Sequence, residues 1–516
     1  MEKSEFRNLN LLFSIFLHIY QPEDQVDEVL DRIVNESYRP IFRFLIANSN
    51  AKLTFNINAV LTELWDKKGY SDLIDNVRVL LERGQIELTE SAKYHAFLPL
   101  IPKSEILRQI RLNHETNKFY FGPKYQPQGF FSPEMSYSAK ITSVVGELGY
   151  KYILADEIAY NGKLDQAKFD AIYKIKGTDI DIYLRHKNLS NLIMGANVRS
   201  IAEIVPVIKK YSHRPKGDSP NYILAAMDGE TFGHHRPGLE NLLFDLLLSP
   251  DLQIKQIEHI GQIIHRVEEI MPVDCTWASS EKQIAEGTPF SLWFDPDNTI
   301  HALQWELTQL AISVVQNTTN LTNEEKMGYY PDVVVPPIEA TARKLLDSAL
   351  HSCHYWWASA KPWWSLEMIE QGAYKLWQVV ETSNGSTVKD KEQALALYQR
   401  ILATAFSWQR TGFVRKLAKY EGSWRKIPFK DRGKQGEYQA LLDLLKKQED
   451  ISSKKGEYEQ AIRWRDAQYK LKNNLDVYDA VHIIDQLRSF VDFREFDDLV
   501  KKYAGYKSIS PGQPEK

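Results

Sequence analysis

Two cysteines, Cys275 and Cys353, are all that the 516 residues contain. That is too few for a disulfide framework or a cysteine-rich zinc site, and it fits a reducing compartment. Long hydrophobic runs are also lacking. Met1 to Asn10 is polar with both charge signs, and the apolar run Leu11 to Leu17 is too short for a signal core or a membrane span. A cytoplasmic protein with no membrane partner is the expectation. Nor is there an excess of one charge. The net charge is −4, and no basic run is long enough to follow a phosphate backbone, so a nucleic-acid partner is not favoured. No internal repeat is evident.

What is present in quantity is aromatic: 12 Trp and 26 Tyr. Such side chains fill large cores, and they also stack against the apolar faces of sugar rings, which raises carbohydrate as a ligand. At this length more than one core is expected.

Two short acidic stretches stand about ninety residues apart: GFFSPEM, ending in Glu134 and Met135, and AMDGETFGHHR, with Asp228, Glu230, His234 and His235. Each follows an apolar, β-prone run, Tyr125 to Phe131 or Tyr222 to Met227, and each run ends in a carboxylate beside a turn former. A buried parallel strand delivering an acid to its C-terminal mouth has this layout. The plain alternative for either acid is a salt bridge or a helix cap. Two carboxylates facing one pocket are the equipment of glycoside hydrolysis.

Around these stretches strands alternate with helices. Leu11 to Leu17 reads as a first buried strand ending at His18, Leu53 to Asn58 as a second and Gly84 to Ser91 as a third, followed by His95. Ser104 is placed to cap a helix through Phe121, and Tyr152 to Glu157 reads as a fifth strand after that of Glu134. Ile172 to Arg185 looks like an inserted hairpin. The pattern predicts a β/α barrel over residues 1–299. From about residue 300 the apolar spacing is helical, with helices expected over 301–316, 338–350, 365–380, 391–408, 436–447, 457–472 and 477–490. A helical domain over 300–507 and a frayed tail over 508–516 complete the division. Between the helices lies a segment with His351, His354, Trp356, Trp357, Trp363 and Trp364, either an aromatic core or a roof for the barrel mouth.

Several of these stretches together resemble glycoside hydrolase family 57. The resemblance rests on His18 shortly before Gln21-Pro22, on Gly84-Gln85-Ile86-Glu87, on Pro133-Glu134, on Asp228-Gly229-Glu230 and, loosely, on the segment around His354 and Trp357. It implies an α/β fold, an incomplete (β/α)7 TIM-like barrel followed by an α-helical domain. It implies retaining chemistry on α-linked glucan, with Glu134 as nucleophile and Asp228 as acid/base, and with no metal or cofactor. It places His18 and Glu87 at the sugar beside the cleaved bond, and it points to Phe131, His235, His354 and Trp357 as further substrate contacts. Tyr20 stands where many members have histidine, Phe131 where several have tryptophan, and His235 where some transferring members have an aromatic platform. Hydrolysis, chain transfer and branching therefore stay open, as does the oligomeric state.

On chemical grounds Asp228 must hold a proton near neutrality while Glu134 is ionised. Glu230, two residues on, would point to the other face of a continuing strand. Two further readings compete. The histidines, with Asp228, would make a metal-dependent deacetylase- or mannosidase-like hydrolase, although no local His-x3-His pair occurs. A non-catalytic carbohydrate-binding relative would lack one of the carboxylates.

Overall fold

A computed structural model describes residues 11–211, 220–250, 252–317, 337–361, 363–420, 428–432, 435–476 and 493–504. Among the described residues ten strands are present: β1 Leu11–Ile19, β2 Leu53–Ile57, β3 Ile86–Thr89, β4 Gly129–Phe130, β5 Tyr152–Asp156, β6 Ile172–Ile175, β7 Asp181–Arg185, β8 Asn221–Asp228, β9 Gln253–Ile254 and β10 Val267–Ile270. One sheet runs β3-β2-β1-β8, all parallel, with β9 added beside the start of β1. The other runs β10-β6-β7-β5-β4. A parallel bridge between Glu90 and Phe130 joins β3 to β4. The seam between β7 and β8 is spanned by the His186 amide donating to the Leu224 carbonyl at 2.8 Å. Seven strands, β1, β2, β3, β4, β5, β7 and β8, thus circle an interior, which is the expected incomplete (β/α)7 barrel. The inserted hairpin is β6–β7, antiparallel as expected, and its second strand also enters the barrel beside β5.

The period-two alternation of strands decides what faces inward. In β1, Leu11, Phe13, Ile15, Leu17 and Ile19 pack in the core between sheet and helices, while Leu12 and Phe16 join the inner cluster. Ser14 and His18 share that inner phase. Burial on both faces is why this strand reads as an unbroken apolar run. In β8 the inward set is Tyr222, Leu224 and Ala226, and Asp228 continues it. The register then fixes depth. His18 lies level with Asn56 and Asp228, whereas Phe16 lies level with Thr54 and Ala226, and Thr54 with Glu87. Asp228 is therefore at the mouth and Glu87 one inward layer below it, two residues or about 6–7 Å down the strand.

The chain divides into two compact units, Met1–Thr411 and Gly412–Lys516. Secondary structure changes from strands to helices near residue 299, but compactness divides the chain later. Helices Thr299–Gln316, Pro337–Ala349, Leu366–Thr382 and Val388–Thr411 all belong with the barrel. Their buried side chains, such as Leu307, Leu346, Leu376 and Leu397, join the same core cluster as the barrel interior. A buried ion-pair network ties two helices together. Arg108, on helix Lys103–Phe121, donates to Asp347 at 2.6 and 2.5 Å, and Arg343 donates to Glu105 at 2.6 Å and to Asp347 at 2.9 Å. That first helix begins after Pro102 with no side-chain cap, so Ser104 lies inside it rather than capping it. The second unit packs its own core around Leu441, Leu444, Leu445, Trp464, Leu471 and Phe496. Its helices Glu437–Lys454 and Tyr458–Lys472 match the expected ones. The helix expected over 477–490, the tail over 508–516 and the polar N-terminus lie outside the described residues.

Candidate active site

The C-terminal mouth of the barrel opens into a cleft of about 590 Å³ lined by His18, Tyr20, His95, Glu134, Arg185, Asp228, Glu230, His235, Trp277, Trp356, Trp357 and Trp363, among others. Glu134 follows β4 on a short 3-10 turn, Pro133–Met135, with φ of 62°. A side chain rarely tolerates this left-handed backbone, and such strain persists where surrounding contacts over-determine it. Here they do. Trp277 Nε1 donates to Glu134 Oε2 at 3.1 Å, and Ser352 Oγ donates to Oε1 at 3.1 Å. Each carboxylate oxygen thus has its own donor. Asp228 stands at the end of β8, opposite His18 in the register.

The two carboxyl groups feel one another. Burial and then the charge of Asp228 push Glu134 up to about 8, against the Trp277 and Ser352 hydrogen bonds. Burial pushes Asp228 up to about 6, while Arg185 pulls it down. Glu230 is raised to about 7, again by burial and then by Asp228. The strand does not continue past Asp228. Gly229–Thr231 forms a 3-10 turn, so the alternation that would have turned Glu230 away ends there. Glu230 instead lines the cleft and accepts from Tyr38 Oη and, at 3.0 Å, from Gln21 Nε2. Gly229 permits the turn, because a Cβ there would lie 2.3 Å from the Ile19 side chain.

A second layer fixes these groups. Arg185 binds Asp156 at 2.8 Å and the Ala226 carbonyl at 2.9 Å, and its charge reaches Asp228. Lys187 holds the Trp277 carbonyl at 2.7 Å, which sets the indole that meets Glu134. His18 and His95 join ring to ring, Nε2 to Nε2, at 3.0 Å. Burial holds both imidazoles neutral, His18 lowered to about 4 and His95 well below the usual histidine range.

The structure brings His18, Glu134, Asp228, His235 and Trp357 to one cleft. It sets three of the expected contacts apart. Glu87, one layer lower, accepts from Tyr152 Oη, from Thr54 Oγ1 at 2.8 Å and from the Ile257 amide at 2.8 Å, stitching β3 to β5 and to helix Ile257–Ile263. Its pocket is a different one, at the opposite end of the barrel interior, lined also by Lys52, Lys124 and His259. Phe131 is fully buried and supports the site from behind, its ring 4.8 Å from that of His18 and 5.9 Å from that of Trp277. His354 is fully buried against Gln304 and Gly372 rather than facing substrate space. The tryptophans serve both of the readings open to them. Trp356, Trp357 and Trp363 form a contacting triad at the cleft, while Trp364 stacks on Trp408.

Sequence reasoning missed Arg185, Lys187, Trp277 and Ser352. Arg185 ends an ordinary-looking hairpin strand and Lys187 follows it, and the others sit in irregular segments where no periodicity marks them. Among the described residues no three His, Cys, Asp or Glu side chains are grouped as a metal set, and no helix is long and apolar enough to cross a membrane.

Acidic side chains at the mouth of a β/α barrel, beneath aromatic rings, define a carbohydrate-enzyme class of site. The model of Glycosyl hydrolase family 57 matches residues 2–269, and the chain belongs to that family. It is 26% identical over 149 residues to alpha-amylase 1 of Dictyoglomus thermophilum, covering 29% of this chain and 21% of that one. It is 25% identical over 229 residues to the 4-alpha-glucanotransferase of Thermococcus litoralis, covering 44% of this chain and 33% of the other. These matches span only about a fifth to a third of those relatives. In fold the chain is similar to a family 57 branching enzyme of Thermococcus kodakaraensis, with a TM-score of 0.58 and 14% identity over 75% of this chain and 94% of that one.

Proposed function

We propose that the protein is a retaining glycosidase or transglycosidase acting on α-linked glucan, with Glu134 as nucleophile and Asp228 as acid/base. The observation that carries the reading is Glu134 itself, held on strained backbone with a separate donor on each oxygen, facing Asp228 in a cleft roofed by tryptophans. Two donors favour the ionised carboxylate that must attack an anomeric carbon. Before substrate binds, the more basic partner is Glu134. The reactive form is the one in which the single proton of the pair sits on Asp228 and Glu134 is ionised; positive charge growing at the carbon facing Glu134 favours that form, and the departing oxygen takes the proton from Asp228. The covalent glycosyl-enzyme then yields to water or to a second sugar as Asp228 acts as base. A cytoplasmic location accompanies this reading, supported by two unpaired cysteines.

Product analysis with maltooligosaccharides and starch tests substrate and acceptor together. Longer and shorter chains together indicate transfer, shortening alone indicates hydrolysis, and new branch points indicate branching. Roles are separated by an α-glucosyl fluoride, whose leaving group needs little acid. Asp228→Asn should lose 10²–10⁴-fold on glucans yet accumulate the covalent intermediate from the fluoride and release it with azide. Glu134→Gln should be inert to both substrates. The opposite pattern would exchange the roles, and near-normal glucan turnover in both variants would remove the chemistry from this pair.

A further inference from the structure

Behind Glu134 runs an unbroken line of polar contacts. Ser352 Oγ meets Glu134 Oε1 at 3.1 Å, His95 Nδ1 meets Ser352 Oγ at 2.9 Å, His18 Nε2 meets His95 Nε2 at 3.0 Å, and Asn56 Oδ1 meets His18 Nδ1 at 2.8 Å. All four supporting residues are at most 4% exposed. The line is rigidly placed. His18 and Asn56 are register partners on β1 and β2, His95 has φ of 57°, and the Ser352 amide donates to the His95 carbonyl at 2.9 Å.

Counting protons shows that the line has two directions. A neutral imidazole carries one N–H and a hydroxyl one O–H. If Asn56 Oδ1 accepts from His18 Nδ1–H, then His18 Nε2 must accept from His95 Nε2–H, and His95 Nδ1 must accept from Ser352 Oγ–H. Ser352 then has no proton for Glu134, and the contact holds only if Glu134 is protonated on Oε1 and donates. Oε2 is unavailable for that proton, because it faces the Trp277 N–H. In the other direction every proton points toward Glu134. Ser352 donates to the carboxylate, His95 Nδ1–H donates to Ser352, and His18 Nε2–H donates to His95. This requires the Asn56 amide to turn over and present its NH₂ to His18 Nδ1. Asn56 Nδ2 is buried without a partner as it stands, so turning over forfeits no bond.

We infer that Asn56, His18, His95 and Ser352 form a reversible hydrogen-bond line that changes direction with the charge of Glu134, keeping its Oε1 hydrogen-bonded whether protonated or ionised. The inference deepens the assignment of Glu134 as nucleophile and rests on it. An active-site carboxylate that must alternate between acid, anion and glycosyl ester would otherwise break a buried hydrogen bond at one of those stages, and such losses are costly in a dry site. The four are positioning residues. The other titratable groups facing Glu134 are Asp228, Tyr20 and Cys353, with Arg185 beside Asp228.

The test needs no substrate, which separates its failure from failure of the proposed activity. In protein labelled with ¹⁵N-histidine, His18 and His95 should exchange tautomers together as Glu134 titrates, His18 from Nδ1–H to Nε2–H and His95 from Nε2–H to Nδ1–H, while staying neutral. In Glu134→Gln the Trp277 N–H takes the amide oxygen, which leaves the NH₂ toward Ser352 and should lock both in the low-pH form at every pH. Tautomers that stay fixed in the native protein, or that change equally in Glu134→Gln, would overturn the inference. With an active substrate, Asn56→Asp supplies a permanent acceptor and should move the pH profile of kcat/KM upward by about a unit. In a Ser352→Ala background that shift should disappear, because the line is cut. Persistence of the full shift there would mean plain charge repulsion and would count against the line. Ser352→Ala alone should lower kcat/KM at neutral pH about tenfold, and Ser352→Thr should restore most of it.

Discussion

Glu134, Asp228 and Glu230 crowd three carboxyl groups into one cleft, and burial raises all of them, to about 8, 6 and 7. Glu134 and Asp228 titrate as a pair, and the productive form holds a single proton between them. The sign follows directly. Below about pH 6 the second proton goes on and no carboxylate is left to attack; above about pH 8 the last proton leaves and no acid is left. A bell-shaped kcat/KM against pH, with limbs near those values, is expected. A profile with no alkaline limb up to pH 10 would show that no carboxyl proton is needed. At the cleft's roof, Trp357 touches Trp356 and Trp363 at ring distances of 4.9 and 5.8 Å. Trp357→Ala should weaken long oligosaccharides by about tenfold, roughly 1.4 kcal/mol, and short ones much less. Equal weakening for every chain length, with a lower melting temperature, would make the ring a packing element instead.

Elements, more than residues, explain what could be read in advance. Strand β1 was legible because nine consecutive buried residues leave a signal no loop imitates, and its end delivered His18. The acid of β8 was legible for the same reason, at the end of eight strand residues of which seven are buried, whereas β4 is only Gly129–Phe130 and Glu134 was read from an acid beside a turn former. Glu87 was misplaced because a motif carries no depth: only the register, Thr54 against Glu87 and His18 against Asn56, shows that its inward face lies below the mouth. Ser352, Trp277 and His95 come from segments whose order is imposed by distant partners, so no local pattern announces them. The same long-range logic governs the pairing of helices Lys103–Phe121 and Pro337–Ala349. Burial alone would raise Asp347, but the guanidinium groups of Arg343 and Arg108 outweigh it and hold the carboxyl below its usual range. Its folded proton affinity is therefore depressed, so the stabilisation is present above the unfolded value near pH 4 and is lost as the pH falls below it. Asp347→Ala leaves two buried guanidinium groups short of a partner and should cost about 3–5 kcal/mol, seen as a lower urea midpoint with an unchanged slope. A loss under 1 kcal/mol would mean that water replaces the carboxylate.

At the scale of the whole chain, the division at Thr411 sets apart two compact units, each with its own core. Among the described residues, every side chain that lines the cleft, the last being Trp363, belongs to the unit Met1–Thr411. The residues from Gly412 onward have a core of their own, built on Leu441, Leu444, Leu445 and Trp464. Domains that hold separate cores fold as separate units when few contacts cross the boundary. A chain ending at Thr411 should therefore fold cooperatively, with far-ultraviolet circular dichroism reduced only by the helices removed. It should retain within about twofold the kcat of the full chain on a short oligosaccharide, since it keeps every described residue that lines the cleft. If the later unit extends the surface that holds polymer, the truncated chain should show a raised KM for starch alone. If instead the truncated chain aggregates or loses kcat on short substrates more than tenfold, the helices after Thr411 are part of the catalytic fold, and the boundary must be moved.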